Sequence, residues 1–212
     1  MPPPADIWVT ATTLEDSSIA STIRLEPLES RHAPDLFAAA DRELFRHTMQ
    51  APPEWSVRGF ELEIGRVRAL PGSVAFAIVL RSSGRAVGRT TFMDIKPEHR
   101  GLEIGRTWIG RSHHGTRVNP EAKYLMLRHA FERLSPTAIR VQLTTNGTNL
   151  HSQGAIAKLG AAREGVLRKA RIMPPALDRT ETLVRDWVIF SILEEEWAGV
   201  KAGLEERLKE RA

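Results

Sequence analysis

Cysteine is absent from this chain, and its absence narrows the chemistry that the chain can perform. Without thiols there is no disulfide framework, no thiolate metal site and no cysteine nucleophile. No stretch approaches the roughly 18 uninterrupted apolar residues that a membrane-spanning helix needs. The opening segment, MPPPADIW, has neither a basic start nor an apolar run. We therefore expect no signal peptide and a cytoplasmic location.

Charge and aromatic content are also modest. The 30 Lys and Arg residues exceed the 26 Asp and Glu residues by four, which is compatible with an anionic ligand. Nucleic-acid recognition usually requires clustered basic residues interleaved with aromatic ones, but this chain has one tyrosine, Tyr124, and scattered phenylalanines. We expect no nucleic-acid partner, although the charge leaves an RNA- or ribosome-associated module as the weakest alternative.

The hydrophobic periodicity predicts an α+β fold with one mixed sheet. Residues 1–21 are interpreted as an N-terminal arm, with Ile7, Val9 and Leu14 as candidate edge-strand residues. The predicted strands are Ile23–Pro27, Val74–Leu80, Ala86–Ile95, Leu102–Ile109, Ile139–Thr145, Val166–Ile172 and Trp187–Ile192. The predicted helices are Ala33–Ala40, Val57–Ala69, Glu121–Leu134, Ser152–Leu159 and an amphipathic C-terminal helix that buries Trp197, Val200, Leu204 and Leu208.

The segment EIGRTWIGRSHHGTRVNPEAK, Glu103–Lys123, carries the clearest functional signal. It predicts a strand, a glycine-containing loop with basic side chains, and a helix with Asn119 as N-cap and Pro120 at the first helical position. Backbone N–H groups and the helix dipole at such a start favour an anion. The alternative is an ordinary solvated turn. The basic and polarisable side chains of the loop are Arg111, His113, His114 and Arg117.

This segment resembles the acetyl-CoA-binding motif of the GNAT superfamily, in which a strand leads to a Q/R-x-x-G-x-G/A loop and a helix. Three further stretches also resemble this family: Ile23–Glu29, NLHSQGAIAKLGA (Asn149–Ala161) and EGVLRK (Glu164–Lys169). The resemblance covers residues 22–195 and is nearest to the RimJ/RimL-like ribosomal-protein acetyltransferases. It implies one mixed, mostly antiparallel sheet flanked by helices, with residues 196–212 packed as a helix on the same domain.

The resemblance further implies an N-acetyltransferase that uses acetyl-CoA as cosubstrate. Its acceptor would be a primary amine, either a protein N-terminus or a small molecule, attacking directly through a tetrahedral intermediate. No metal is expected, because the adjacent His113 and His114 cannot easily share one metal and no further ligand lies at a suitable spacing. Whether the chain works alone or as a homodimer is left open.

The loop departs from the family motif at three positions. His114 takes the Gln/Arg position, Arg117 the second glycine position and Asn119 the last, so only Gly115 remains glycine. The Arg117 side chain would either crowd the phosphate cradle or contact a phosphate. The resemblance assigns cofactor contacts to Ile109, Arg111, His114, Gly115, Thr116, Arg117, Val118, Asn119, Asn149 and Ser152. A loop-capping role is the alternative for Asn149.

The reaction needs a base, oxyanion donors and an acid. Glu103 is the candidate base, with a surface carboxylate as the alternative. The family implies that backbone N–H groups at Ile109 or a neighbour hold the oxyanion. The tyrosine that serves as acid in many family members is replaced near Ile156, so Ser152 is the candidate acid, with a helix N-cap as the alternative. Trp55 is expected to border the acceptor cleft.

The departures also keep a different class of function open. A degenerate family member could bind CoA or another anion as a sensor without turnover, and Arg117 and the missing tyrosine favour that alternative.

Overall fold

The computed structural model describes residue 8 and residues 10–48, 51–177 and 179–210. Strands β1 to β7 are Ile23–Pro27, Val74–Leu80, Ala86–Lys96, Gly101–Ile109, Arg140–Asn146, Ala162–Met173 and Leu183–Leu193. Helices α1 to α5 are Ala33–Ala39, Val57–Arg68, Val118–Arg128, Leu150–Ala157 and Trp197–Lys209. A π-helical turn at His129–Arg133 extends α3.

The seven strands form one sheet in the order β1-β2-β3-β4-β5-β7-β6. Every neighbouring pair is antiparallel except β4 and β5, which are parallel. The predicted α+β fold with a mixed, mostly antiparallel sheet is therefore confirmed.

Helices cover both faces of the sheet. In β2, Phe76 and Ile78 point into a core that includes residues of α3 and α5, while Ala77 and Val79 point into a second core with α1 and α2. Successive side chains of a strand alternate between the faces, so a central strand buried on both sides is apolar throughout. The continuous apolar run Val74–Leu80 was predicted as such a strand, and the prediction is confirmed.

Strands β4 and β5 separate soon after they meet. Their pairing in the described chain is limited to Gly101 with Arg140, Leu102 with Val141 and Glu103 with Gln142. Beyond Glu103, β4 follows β3 while β5 follows β7. The sheet therefore opens into a wedge at the carboxyl ends of these two strands.

A β-bulge lies in β4 beside this wedge. Thr91 pairs with Gly105 and Arg89 pairs with Trp108, so both Arg106 and Thr107 face Thr90. Arg106 has a φ of 49°, in the left-handed region that non-glycine residues rarely adopt. Such a bulge bends its strand and changes the direction of the side chains near it.

The start of α3 differs from the sequence prediction. The helix begins at Val118 with Arg117 at the N-cap position, so the predicted N-cap, Asn119, is wrong. The Thr116 hydroxyl instead accepts a hydrogen bond of 3.3 Å from the Val118 amide. Threonine satisfies an unpaired amide of the first turn as asparagine would, so composition alone did not distinguish the two positions.

The C-terminal helix packs on the rest of the chain. Its side chains Trp197, Val200, Leu204 and Leu208 are buried in the core that contains α3. At the other end, Leu14 forms an antiparallel bridge with Leu25, whereas Ile7 and Val9 lie outside the described residues. None of the helices in the described chain combines the length and apolar character that a membrane crossing requires.

Candidate active site

A cleft of about 800 Å³ occupies the wedge between β4 and β5. One side is formed by the starts of α3 and α4, which we call the helical wall, and it includes Asn119, Lys123, Asn149 and Ser152. The other side, which we call the sheet wall, consists of Arg89 on β3 and Glu103, Arg106 and Trp108 on β4. Three separate segments of the chain thus contribute to one cavity.

Glu103 lies on the sheet wall with its carboxylate fixed by hydrogen bonds. Thr144 Oγ1 donates to Glu103 Oε1 at 2.7 Å, and Gln142 Nε2 donates to Glu103 Oε2 at 3.1 Å. Trp187 Nε1 in turn donates to Thr144 Oγ1 at 2.7 Å. Glu103 is only 7% exposed, so it is not a surface carboxylate. Its partners are neutral, and its oxygens retain lone pairs for another donor.

The loop before α3 reaches the cleft through several of its predicted residues. His114 Nε2 lies 2.8 Å from the Ile109 carbonyl oxygen, and the His114 ring stacks on His151 with 6.0 Å between centroids. Gly115 has a φ of 74°, which only glycine adopts without strain. The predicted residues that line the cleft here are Ile109, His114, Gly115, Thr116 and Asn119.

At the start of α4 the structure separates the roles of Asn149 and Ser152. Asn149 is the N-cap, and its side-chain oxygen accepts a hydrogen bond of 3.1 Å from the Ser152 amide. The capping function that was the alternative for Ser152 therefore belongs to Asn149. Both residues line the cleft, as does Ile156 at the position of the missing tyrosine.

Three predicted cofactor residues do not line the cleft. The Arg111 Nε donates to Asp41 Oδ2 at 2.7 Å, and Val118 is buried in the core. Arg117 donates from Nε to Glu121 Oε2 at 3.1 Å and from Nη2 to the Ala20 carbonyl at 2.8 Å. The Arg117 guanidinium is therefore occupied within the protein.

Glu121 explains why Arg117 is held there. The Glu121 carboxylate is fully buried and also accepts from the Thr22 amide at 2.8 Å, the Thr22 hydroxyl at 2.8 Å and the Ile23 amide at 3.1 Å. A buried carboxylate needs such partners, and Arg117 supplies the positive charge. The pair fastens the start of β1 to the start of α3.

Lys123 is a functional candidate that the sequence did not reveal. Its ammonium donates to Thr107 Oγ1 at 2.8 Å, and Thr107 Oγ1 lies 2.8 Å from Thr90 Oγ1. Lys123 is 6% exposed, and burial lowers the pKa of its amine to about 7. In the sequence, the only available signal was the position of Lys123 in the predicted helix, two residues after Glu121. The structure shows that this helix is buried along most of its length.

The sheet wall contains donors without partners. Arg89 forms a buried ion pair with Glu63, and its Nη1 donates to the Arg106 carbonyl at 2.8 Å. However, Arg89 Nε, Arg106 Nη1 and Trp108 Nε1 are buried with no hydrogen-bond partner among the described residues. Sequence patterns could not reveal these unpaired donors, because whether a donor finds a hydrogen-bond partner depends on the final packing.

Two other expectations concern Trp55 and metals. Trp55 packs against Phe37, Phe45 and Phe60 at centroid distances of 5.6–6.0 Å and does not line the cleft. Leu44, His47 and Thr48 reach the cleft from that part of the chain instead. In the described ranges, no group of three or more His, Asp or Glu side chains is arranged to hold a metal ion.

Comparison with known proteins identifies the fold and the family. The model of the acetyltransferase (GNAT) domain matches residues 22–162. A T. thermophilus structure assigned as an acetyltransferase is 39% identical, with a TM-score of 0.83 over 95% of this chain and 99% of that one. A GCN5-related N-acetyltransferase from Brucella melitensis is 25% identical, with a TM-score of 0.81 over 94% of this chain and 86% of that one.

More distant similarity extends to RimL, described as an alpha-N-protein acetyltransferase of a ribosomal protein. It is 14% identical, with a TM-score of 0.70 over 87% of this chain and 95% of that one, so it shares the fold alone. Among curated proteins, none matches the chain in sequence.

Proposed function

This chain belongs to the GNAT acetyltransferase family, and we propose that it transfers an acetyl group from acetyl-CoA to a primary amine. The observation that carries the proposal is the wedge between β4 and β5, lined by Glu103 on β4, Asn119 on α3 and Ser152 on α4. A long, narrow cosubstrate fits an opening between strands whose backbone groups are not used in pairing. The division into arm 1–21, domain 22–195 and helix 196–212 forms part of the proposal.

The helical wall fits a phosphorylated cosubstrate. The start of α3 presents its dipole to the cleft, and His113, His114, His151 and Lys158 also line it. Asn119, Gly115 and Thr116 would hold the pyrophosphate, and Asn149 would hold the pantetheine arm. Arg111 and Arg117 would not contact the cosubstrate directly, because both side chains lie outside the cleft lining and already have carboxylate partners.

Glu103 would take the proton that the attacking amine releases, directly or through a water molecule. Its carboxylate is oriented by Thr144 and Gln142, which leaves the acidic group fixed at the floor of the cleft. Backbone N–H groups at Ile109 or a neighbouring residue of β4 would stabilise the oxyanion. Ser152 would protonate the thiolate that leaves.

The acceptor amine belongs to a protein N-terminus or to a small molecule. A place in the RimJ/RimL-like branch is a finer proposal, which favours the protein N-terminus. It would be supported by acetylation of peptides in preference to all small amines.

Cofactor binding is the first test. Acetyl-CoA or desulfo-CoA at ~100 times its Kd should stabilise the fold by about 2.7 kcal/mol and raise the Tm by roughly 5–10 °C. ATP at the same concentration is the control for nonspecific anion binding. Free thiol released from acetyl-CoA in the presence of an amine panel then measures transfer.

The outcomes separate the alternatives. A Tm that is unchanged by both CoA compounds would exclude the proposal. A clear Tm rise without thiol release from any amine would instead favour the CoA-binding sensor.

A further inference from the structure

The unpaired donors of the sheet wall are concentrated in one place. Arg89 Nε, Arg106 Nη1 and Trp108 Nε1 are buried without hydrogen-bond partners in the described parts of the chain, and so is Thr91 Oγ1 on β3, which does not line the cleft. Arg89 and Thr91 point to one face of β3, and Arg89 is the cross-strand partner of Trp108. Leaving a buried donor unsatisfied costs about 1–3 kcal/mol. Of these four residues Arg106 is the half-buried one, and its guanidinium lines the cleft where a ligand that accepts hydrogen bonds can reach it.

Arg106 is held in a strained conformation at this place. Its φ of 49° is unfavourable for a residue with a side chain. The Arg106 carbonyl accepts a hydrogen bond of 2.8 Å from Arg89 Nη1, and Arg89 is itself anchored by Glu63. Both side chains of that ion pair are at least 96% buried, being 2% and 4% exposed. A rigid support thus maintains a backbone geometry that puts the Arg106 guanidinium in the cleft wall.

Arg106 also lacks an ionic partner. No carboxylate of the described residues forms an ion pair with Arg106. Burial and the nearby Arg89 lower the pKa of Arg106, and Glu103 and Glu63 oppose this shift only in part. Burial, with Arg46 and Arg185, likewise lowers the pKa of His47 at the same cleft. An anion bound here would relieve this accumulation of positive charge.

The balance of charge along the cleft limits the charge that the acceptor can carry. Glu103 is the single carboxylate among the described residues that line it, whereas Arg106 and Arg171 line the same cavity and have no ion pair with a described carboxylate. Arg171 also lies over the Trp187 ring, 5.7 Å from its centroid. A polyamine or aminoglycoside would bring several positive charges to a site with one negative group. An amine that carries its own carboxylate would present a positive group to Glu103 and a negative group to the arginines.

We infer that the acceptor is a carboxylate-bearing amine, with its carboxylate bound by the Arg106 guanidinium and its amino group directed to Glu103. This inference rests on the proposed acetyl transfer. In that step, the amine nitrogen forms an amide bond with the acetyl carbon while the carbon–sulfur bond breaks. The proton lost by the amine passes to Glu103, and the leaving thiolate is protonated to give free CoA. The acceptor is either a free amino acid or a polypeptide with an acidic first residue.

Matched acceptors provide the experiment. Thiol release is measured with amino acids, with their α-amides and with the corresponding decarboxylated amines. Peptides beginning with Asp or Glu are compared with peptides beginning with Asn or Gln. We expect acids to exceed their amides by at least about tenfold in kcat/KM, the effect of one lost hydrogen bond to a charged group. The series that shows the preference identifies the source of the carboxylate.

Arg106→Gln should raise the KM of the preferred acid by roughly 10- to 100-fold and leave the amides unchanged. Arg106→Lys should recover part of the loss, because lysine keeps the charge but not the paired donors. Arg168→Gln, at an exposed position outside the cleft, is the matched control. The Tm and the acetyl-CoA affinity of each variant show whether its fold is retained.

Binding supplies a second readout that does not need turnover. Calorimetry with the protein and desulfo-CoA should show tighter binding of the acid than of its amide. Equal binding of the two, or better acetylation of amides or polyamines, would overturn the inference while leaving acetyl transfer intact. Absence of any CoA binding would overturn acetyl transfer as well.

Discussion

The two walls of the cleft differ in how their polar groups are satisfied. On the helical wall, Lys123 donates to Thr107, Asn149 caps the Ser152 amide and His114 contacts the Ile109 carbonyl. On the sheet wall, donors of Arg89, Arg106 and Trp108 lack partners within the described residues. These three groups of the helical wall are therefore satisfied inside the protein, whereas the three donors of the sheet wall have no partner in the described ranges.

This difference indicates which substitutions affect chemistry and which affect stability. Removing a group from the sheet wall should weaken catalysis or acceptor binding with little loss of internal hydrogen bonding. Removing one from the helical wall disturbs contacts inside the protein as well. Arg106 tests the first case and Lys123 tests the second. Glu103 and Ser152 lie between them, because the Glu103 carboxylate accepts hydrogen bonds from Thr144 and Gln142, whereas the Ser152 side chain is not the helix cap.

The largest effect is expected for Glu103→Gln. The amide keeps the shape of the side chain but cannot take a proton, so the rate should fall by roughly 10³-fold at neutral pH, within the range for general base catalysis. The loss should shrink as the pH rises, because the amine then deprotonates without help. The pH profile of kcat/KM measures this, with the exposed Glu98→Gln as control. A profile that overlays the wild type at every pH would exclude Glu103 as the base.

Ser152→Ala should have the next largest effect. Asn149 provides the cap, so the helix should remain and kcat should fall by about 10²-fold, the lower end for acid catalysis. Steady-state kinetics and acetyl-CoA titration together measure the change, and Ser82→Ala in an exposed turn is the control. If acetyl-CoA affinity falls while kcat is retained, Ser152 is a cofactor contact and the acid is another group.

The smallest effect is expected for Lys123→Met, and it concerns stability. Burial lowers the pKa of Lys123 from 10.5 to about 7 in the folded protein, so the unfolded chain binds more protons between these values. Stability contributed by this residue is therefore lost as the pH falls from about 10 to 7 and stays constant below that. Methionine removes this loss, so Lys123→Met should gain stability relative to the wild type as the pH falls from 10 to 7, by at most about 1.4 kcal/mol per pH unit.

Urea unfolding at several pH values between 7 and 10 measures the difference between Lys123→Met and the wild type. Lys209→Met, on the exposed side of α5, is the control. A stability difference that does not vary with pH would mean that Lys123 is fully charged in the folded protein, and the helical wall would then hold an unpaired cation.

Hydrophobic periodicity predicted most of the strands and helices. The predictions failed where packing between distant segments sets the end of an element. The exposed start of β5 is one case, because Ile139 was predicted to begin a half-buried strand but is 38% exposed, and the strand begins at Arg140. Val141 and Leu143 are buried as predicted. The predicted alternation of buried and exposed residues was correct inside β5. The residue at which burial begins depends on how far the neighbouring elements extend, which the local pattern does not contain.

The start of α3 is a second case. Asn119 followed by Pro120 was a reasonable local signal for a helix start. The helix begins earlier because Thr116 satisfies the Val118 amide and Arg117 pairs with the buried Glu121. Glu121 contacts β1 about 100 residues away in the chain, a partner that no local pattern could indicate.

The sequence by itself determined the α+β class, the strand and helix order, and the segment that forms the cleft, because hydrophobic periodicity and the turn and capping residues are local properties. Only the tertiary structure decided that Lys123 is buried, that Arg117 is occupied by Glu121, and that three donors of the sheet wall find no partner among the described residues. These properties depend on which groups meet across the sheet and are therefore set by packing between distant segments.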